Sequence, residues 1–390
     1  MATGTSELLQ VSMRVETTMG DSFARSGDFS DGVLLRPLEK IPLDQFVREA
    51  VSDETVKRNF NDAGLPAIEG LSTAVIPLAL RMTGNTRAVG VLTEDGMSQI
   101  LNWAAGTRRA VGDDAVEADS TVGTIKAVGH PYQVNDVVMI NGEAALVVAT
   151  TANDFSVRPF LSAVPAANDV ITGMESFYID TNVAPETVGL GVTCTGDDEW
   201  EWVGCAGLIT KVDFGEITPG AQPQINFEVM LADHRQEAIT HSTTEIPTAG
   251  QVIGVVGARA LRMTDASGAN ILTPDLASAQ VGMGFEATFP DGLSVGAVGG
   301  KVKPHYNPTD GEVGTIRVLQ DPAADTYEKL NALKGKTFAL SIQINNELGK
   351  TFGIIYPAAT FTKFPTPTTQ GKSKAVEFGF RAGVGVIFRG

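Results

Sequence analysis

The sequence predicts a mainly β fold made of two similar tandem halves, with a small β insertion in the first half and one flanking helix in each. Three observations carry that prediction. The two halves end alike, the composition favours strands and turns, and only two stretches carry helix signals. The repeated endings are residues 203–231 and 353–382. Each places Thr-Lys between apolar residues, as Ile209-Thr210-Lys211-Val212 and as Phe361-Thr362-Lys363-Phe364. A turn follows, over Thr218-Pro219-Gly220 in one half and Thr366-Pro367-Thr368 in the other. An alternating strand then closes each half, Ile225–Val229 and Val376–Phe380. The spacing is nearly constant, 362 − 210 = 152 for the threonines and 378 − 227 = 151 for the closing phenylalanines. Self-similarity at that period predicts a duplicated domain, and duplicated β domains commonly build assemblies.

The chain's 390 residues exceed what one core usually organises, so two or three domains are expected. With 42 glycines and 19 prolines among Val/Thr-rich runs, strands and turns dominate the reading. A hydrophobic content of 43% and a mean hydropathy of +0.05 suit a globular chain rather than a disordered one. The net charge of −17 argues against a protein that grips nucleic acid, which would gather Lys and Arg against phosphates. It suits a solvated acidic surface, or a conduit along which another polyanion slides without sticking.

Taken in chain order, residues 1–30 read as an arm that needs a neighbour to become ordered, with a first strand at Leu8–Val15. Strands follow at Gly32–Leu43 and Leu71–Met82, separated by a mixed-charge helix or loop over Asp44–Asn61. The first helix has Thr93 as its N-cap, Glu94 and Asp95 in its first turn, and Met97, Ile100, Leu101 and Ala104 at helical spacing. Gly106 ends it. Residues 117–171 read as an inserted small β barrel or sandwich, with strands Val137–Ile140 and Ala144–Val148 joined through Asn141-Gly142. The second helix opens at Asp321-Pro322, buries Tyr327, Leu330 and Leu333, and stops at Gly335. The resulting organisation is 1–116, the insertion 117–171, 172–245, and a second unit 246–390. A shorter echo, Ala79-Leu80-Arg81-Met82-Thr83 against Ala260-Leu261-Arg262-Met263-Thr264, sits differently relative to the two helices and reads as coincidence.

Alternation in the repeated strands separates a core side from a polar side. Val212 and Phe214 oppose Ile209, Lys211 and Asp213. Ile225, Phe227 and Val229 oppose Asn226 and Glu228, while Val376, Phe378 and Phe380 oppose Glu377 and Arg381. The polar side thus carries Lys211, Asp213, Glu228, Lys363, Glu377 and Arg381, as solvated surface or as the lining of a channel. Trp200 and Trp202 share one strand face, which suits a core anchor or a subunit interface better than a sugar platform. If the hairpin between them turns near Asp197, Cys194 faces position 200. Cys205 is then out of register, so two buried thiols are expected rather than a disulfide.

No catalytic set is legible, and no cofactor or metal site is expected. His130, His234, His241 and His305 share no ligand spacing. Val252–Gly257 and Gly383-Val384-Gly385 lack the strand–GxGxxG–helix context, and neither a phosphate loop nor a nucleophile elbow is present. The acidic run Gly196–Glu199 reads as a solvated turn rather than a calcium site. The N-terminus shows no signal peptide, and no apolar run approaches membrane-spanning length. Two further readings stand beside a structural one. A secreted or surface β-domain protein could bind glycans through Trp200 or Trp202, and a hydrolase could draw on a carboxylate pair among 46 acidic residues.

The C-terminal stretch Thr337–Ile342, Ile355–Thr362, Phe364-Pro365-Thr366-Pro367 and Ala375–Ala382 resembles the tail tube (major tail) proteins of long-tailed, siphovirus-like bacteriophages. So does the opening Glu16-Thr17-Thr18-Met19-Gly20. The resemblance covers most of residues 200–390 and the first half more loosely. It implies tube domains whose strands pair between neighbours around a lumen that passes double-stranded DNA, with a helix outside and rings stacked through loops and an N-terminal arm. It implies a virion protein made in the host bacterial cytoplasm, with no membrane insertion and with tape measure, terminator and distal tail proteins as partners. Two tube domains per chain imply a trimeric ring of pseudo-sixfold symmetry, and one tube domain would imply a hexamer.

Overall fold

The structure, a computed structural model, describes residues 8–38, 41, 50–51, 68–69, 74–85, 87–88, 91–92, 94–180, 182–195, 200–218, 220–246, 253, 259–268, 270–290, 303–309, 311–321 and 325–390. Strands take up 54% of it and helix 6%, so the fold is mainly β. The principal elements are β1 (Leu8–Val15), β2 (Ala74–Arg81), α1 (Gly96–Ala105), β3 (Val188–Thr195), β4 (Trp200–Ile217) and β5 (Gln224–Gln236). They continue as β6 (Arg259–Asp265), β7 (Leu276–Gly282), β8 (Gly314–Leu319), α2 (Thr326–Asn331), β9 (Phe338–Ile344), β10 (Phe352–Gln370), β11 (Ser373–Ala382) and β12 (Val386–Arg389).

The twelve strands belong to one large sheet, in which five strands of each half pair in the same order. The first half runs β1–β3–β4–β5–β2 and the second β6–β9–β10–β11–β8, with α1 and α2 at equivalent points of the chain. The registers agree as well. Leu190 lies between Met13 and Gly204, and Leu340 between Met263 and Tyr356. Both long strands bulge twice at matching places, once at 204–207 or 356–359 and once at the threonine of the Thr-Lys pair. Bulges of this kind insert one unpaired residue and bend the strand, so their repetition fixes the same local twist in both halves.

The halves meet edge to edge. The far end of β4 leaves β5 on one side and pairs β7 on the other, through Asp213↔Gly282, Phe214↔Val281 and Ile217↔Ala279. A second connection comes from β12, which lies between β10 and the strand Glu175–Tyr178, itself paired with Thr107–Ala110. One continuous apolar core follows. It unites Val11, Leu78, Ile100, Phe214 and Phe227 of the first half with Leu261, Phe338, Phe378 and Phe380 of the second.

Strands between Asp114 and Gly173 form a separate six-stranded sheet with its own core around Ile125, Tyr132, Val138, Phe155 and Ile171. Its central hairpin turns through Asn141 (φ 53°) and Gly142 (φ 79°) with Ile140 opposite Glu143, the two-residue turn expected of Asn-Gly. The module is docked on the second half. Val137, Met139 and Leu146 pack against Ile355 and Phe388, and the Gln343 amide accepts from Ala144 N (2.9 Å) and donates to Gly142 O (2.9 Å).

Several expectations change. The N-terminal arm is not free along its length: β1 is an inner strand between β3 and Val33–Leu35, with Val11 and Met13 buried, because its alternation matches the core face. Thr93 lies outside the described residues, and Asp95 caps α1 by accepting from Ser98 N at 2.8 Å, with Gly106 at φ 79° closing the other end. The second helix begins at Thr326 rather than at Asp321, Leu330 and Leu333 are buried, Tyr327 is half-buried, and Gly335 takes φ 71°. The second repeated turn is not at Thr366–Thr368. β10 runs on to Gln370, opposite Ser373, because an extra bulge absorbs Phe364-Pro365. The five-residue echo occupies unlike places, Ala79–Arg81 in β2 beside β5 and Ala260–Thr264 in β6 beside β9. The Asp44–Asn61, Gly196–Glu199 and Val252–Gly257 readings fall largely outside the described residues.

Candidate functional site

The polar sides of β4, β5, β7, β8, β11 and β10 form one continuous surface across the junction of the halves. Directly paired residues of antiparallel strands point to the same side. The pairs Lys211↔Glu228, Asp213↔Gly282, Gln280↔Thr315, Thr315↔Gly379 and Arg317↔Glu377 therefore trace a single face. Lys363 pairs with Gly379 and Arg381 with Thr360, which brings all six residues expected on the polar side to it. Val212, Phe214, Ile225, Phe227, Phe378 and Phe380 are buried on the reverse side. Ile209 joins them rather than Lys211, because the bulge at Thr210 resets the alternation by one residue.

The charges of this face largely neutralise one another. Lys211 Nζ lies 2.6 Å from Asp213 Oδ2, and that hydrogen bond raises the Lys211 pKa. Thr210 Oγ1 donates to Glu228 Oε1 at 3.0 Å. In the second half Glu377 receives Lys363 Nζ and Arg317 Nη2 (2.6 Å), and these two, Lys363 first, hold its carboxyl below the ordinary value. Arg317 also donates to Gln370 Oε1 at 3.0 Å, and Arg381 Nε to Thr360 Oγ1 at 3.2 Å. Glu312 accepts from Thr315 and Thr362, each at 2.7 Å. Two glycines make room for these carboxylates: a Cβ at Gly282 would meet Asp213 Oδ1 at 2.3 Å, and one at Gly379 would meet Glu312 Oε2 at 2.2 Å. A shallow cleft of about 220 Å³ opens at the junction among Lys211, Asp213, Gln280, Glu286 and Glu312.

Sequence reasoning placed the six charged residues on this face but missed Glu312 and Arg317. The alternation of Thr315 and Arg317 with buried Ile316 and Val318 was the available signal for the latter. Of the aromatic pair, Trp200 is 47% exposed, whereas Trp202 is half-buried edge-on to His234 (5.5 Å). Cys194 lies opposite Trp200 and Cys205 opposite Asp233, so the two buried thiols are not joined to one another. Of the four histidines, His241 has a defined polar setting, bridging Ser12 Oγ (2.9 Å) and Thr193 Oγ1 (2.7 Å). Burial pulls its pKa down. Among the described residues no three His, Cys, Asp or Glu side chains gather as a metal site, and no helix is long and apolar enough to cross a membrane. No family model matches the chain, and no curated protein matches it.

Proposed function

We propose that this chain is a structural virion protein that polymerises into stacked rings forming the hollow tail tube of a long-tailed bacteriophage, through which double-stranded DNA passes. The observation that carries this reading is the recurrence of one five-stranded order, register and bulge pattern in both halves, joined edge to edge so that one polar face runs across the junction. A sheet with free edges invites further pairing, and closing a ring of such units removes them.

The polar face suits a lumen. Its Lys and Arg side chains are engaged by Asp213 and Glu377, so they are not available as a row of phosphate anchors. The chain's net charge of −17 adds a repulsive background for a polyanion. Three chains would supply six units to a ring. Tape measure, terminator and distal tail proteins are the partners this role requires, and the tail of the virion is its place. Negative-stain electron microscopy of the purified protein, concentrated alone and with tail-initiator proteins, tests the reading. Hollow tubes of stacked rings are expected. Monodisperse particles under every condition, together with glycan binding that depends on Trp200, would replace it with a surface-binding role.

A further inference from the structure

The junction inside the chain shows what each free edge of the molecule lacks. At the end of β4, Val212 is buried and its carbonyl accepts from Met283 N at 3.0 Å, while Asp213–Ile217 has β5 on one side and β7 on the other. In β10 the place of Val212 is taken by two residues, Phe364 and Pro365, at the bulge unique to this half. Pro365 turns inward and is buried, whereas Phe364 is extruded and 55% exposed, with Lys334 Nζ 5.3 Å from its ring centroid. From Thr366 to Gln370 this strand pairs only with β11 among the described residues.

The complementary edge belongs to the first half. β2 pairs with β5 on one side, and on its other side Ala79 O accepts from Leu38 N at 2.8 Å. That is the place β7 holds beside β8, where Ser278 lies opposite Arg317. The correspondence extends along the chain: Ile41 is buried as Val281 is, and Leu38 remains 38% exposed.

We propose that the occupant of the β10 edge is a second copy of this chain. Phe364 and Thr366–Gln370 of one copy dock against the segment bearing Leu38 and Ile41 of the next, in the register by which β4 meets β7. This deepens the tube reading and rests on it. The edge is also guarded. Pro367 removes a backbone donor from the strand, so indiscriminate pairing is weakened and the apolar contact of Phe364 decides which partner is accepted.

Two variants test the seam in the full chain. Phe364→Ser, at an exposed position, is expected to leave thermal unfolding of the unassembled protein unchanged and to raise the concentration needed for tube formation at least tenfold. A Leu38→Cys/Gln370→Cys double variant is expected to give a reducible ladder of covalent multimers on assembly. If tubes form with Phe364→Ser at the wild-type concentration and the cysteine variant gives no ladder, the seam lies elsewhere while the tube reading stands. If the wild-type protein never assembles, both fall together.

Discussion

Arg389 is fully buried, and its guanidinium reaches Asp95 (2.6 Å), Ser98 Oγ (3.1 Å) and the carbonyl of Gly84, with the buried carboxylate of Glu175 at 3.8 Å. The same Asp95 caps α1, so one carboxylate both starts the helix of the first half and receives a cation from the last strand of the second. Burial pushes the Asp95 carboxyl up, but the Arg389 hydrogen bond and charge, with the Ser98 N–H, outweigh it and hold the pKa below its ordinary 3.8. A depressed folded-state pKa contributes stability above the unfolded value and loses it as pH falls through the folded one. Asp95→Ala is therefore expected to destabilise the chain by about 3 kcal/mol or more at pH 7, because it removes a cap and strands a buried cation. Urea unfolding at pH 7 and pH 3 checks both size and sign, since the gap between variant and wild type should narrow at the lower pH. The sequence reading put Asp95 one turn too far into the helix. Acidic residues suit both a cap and a first turn, and the partner that selects the cap role lies 294 residues away.

Elements were legible where the signal is local. The Asn141-Gly142 turn was readable because type I′ geometry needs positive φ at both positions, and Gly142 takes φ 79°. A Cβ there would meet nothing nearer than Asn346 Nδ2 at 3.5 Å, so the cost of a side chain is conformational rather than steric. Gly142→Ala is expected to cost about 1–2 kcal/mol. Native-state hydrogen exchange should show it as faster exchange of the Val137–Ile140 and Glu143–Thr150 amides, with those of β4 and β5 unchanged. The bulges were not legible. Nothing in Ile209-Thr210-Lys211 distinguishes an extra residue from a regular one, and the alternation rule consequently assigned Ile209 to the wrong side. The extra bulge at Phe364-Pro365 likewise read as the approach to a turn. β1 was misjudged for a different reason: small polar neighbours suggested an arm, while its two partners, β3 and Val33–Leu35, lie up to 187 residues away in the Leu8↔Thr195 pair.

At the scale of the whole molecule, the junction of β4 with β7 is head to tail, joining unlike edges of two like units. A heterologous contact of this kind closes into a ring when its rotation divides a full turn, and otherwise winds into a filament. If the contact between copies repeats the one within a copy, every unit turns the ring by the same angle, and each chain accounts for two such turns. The family resemblance supplies six as the number of units, so three chains complete the circle. The six-stranded module makes the count visible, because each chain carries one, fixed to the second half through Gln343, the buried Arg262–Glu143 pair and the core shared with Phe388. End-on averages of assembled tubes are therefore expected to show three outer protrusions on an inner wall of sixfold appearance. Six protrusions would mean that only one half of each chain forms the wall, and that the repeated register serves the fold of the monomer rather than the ring.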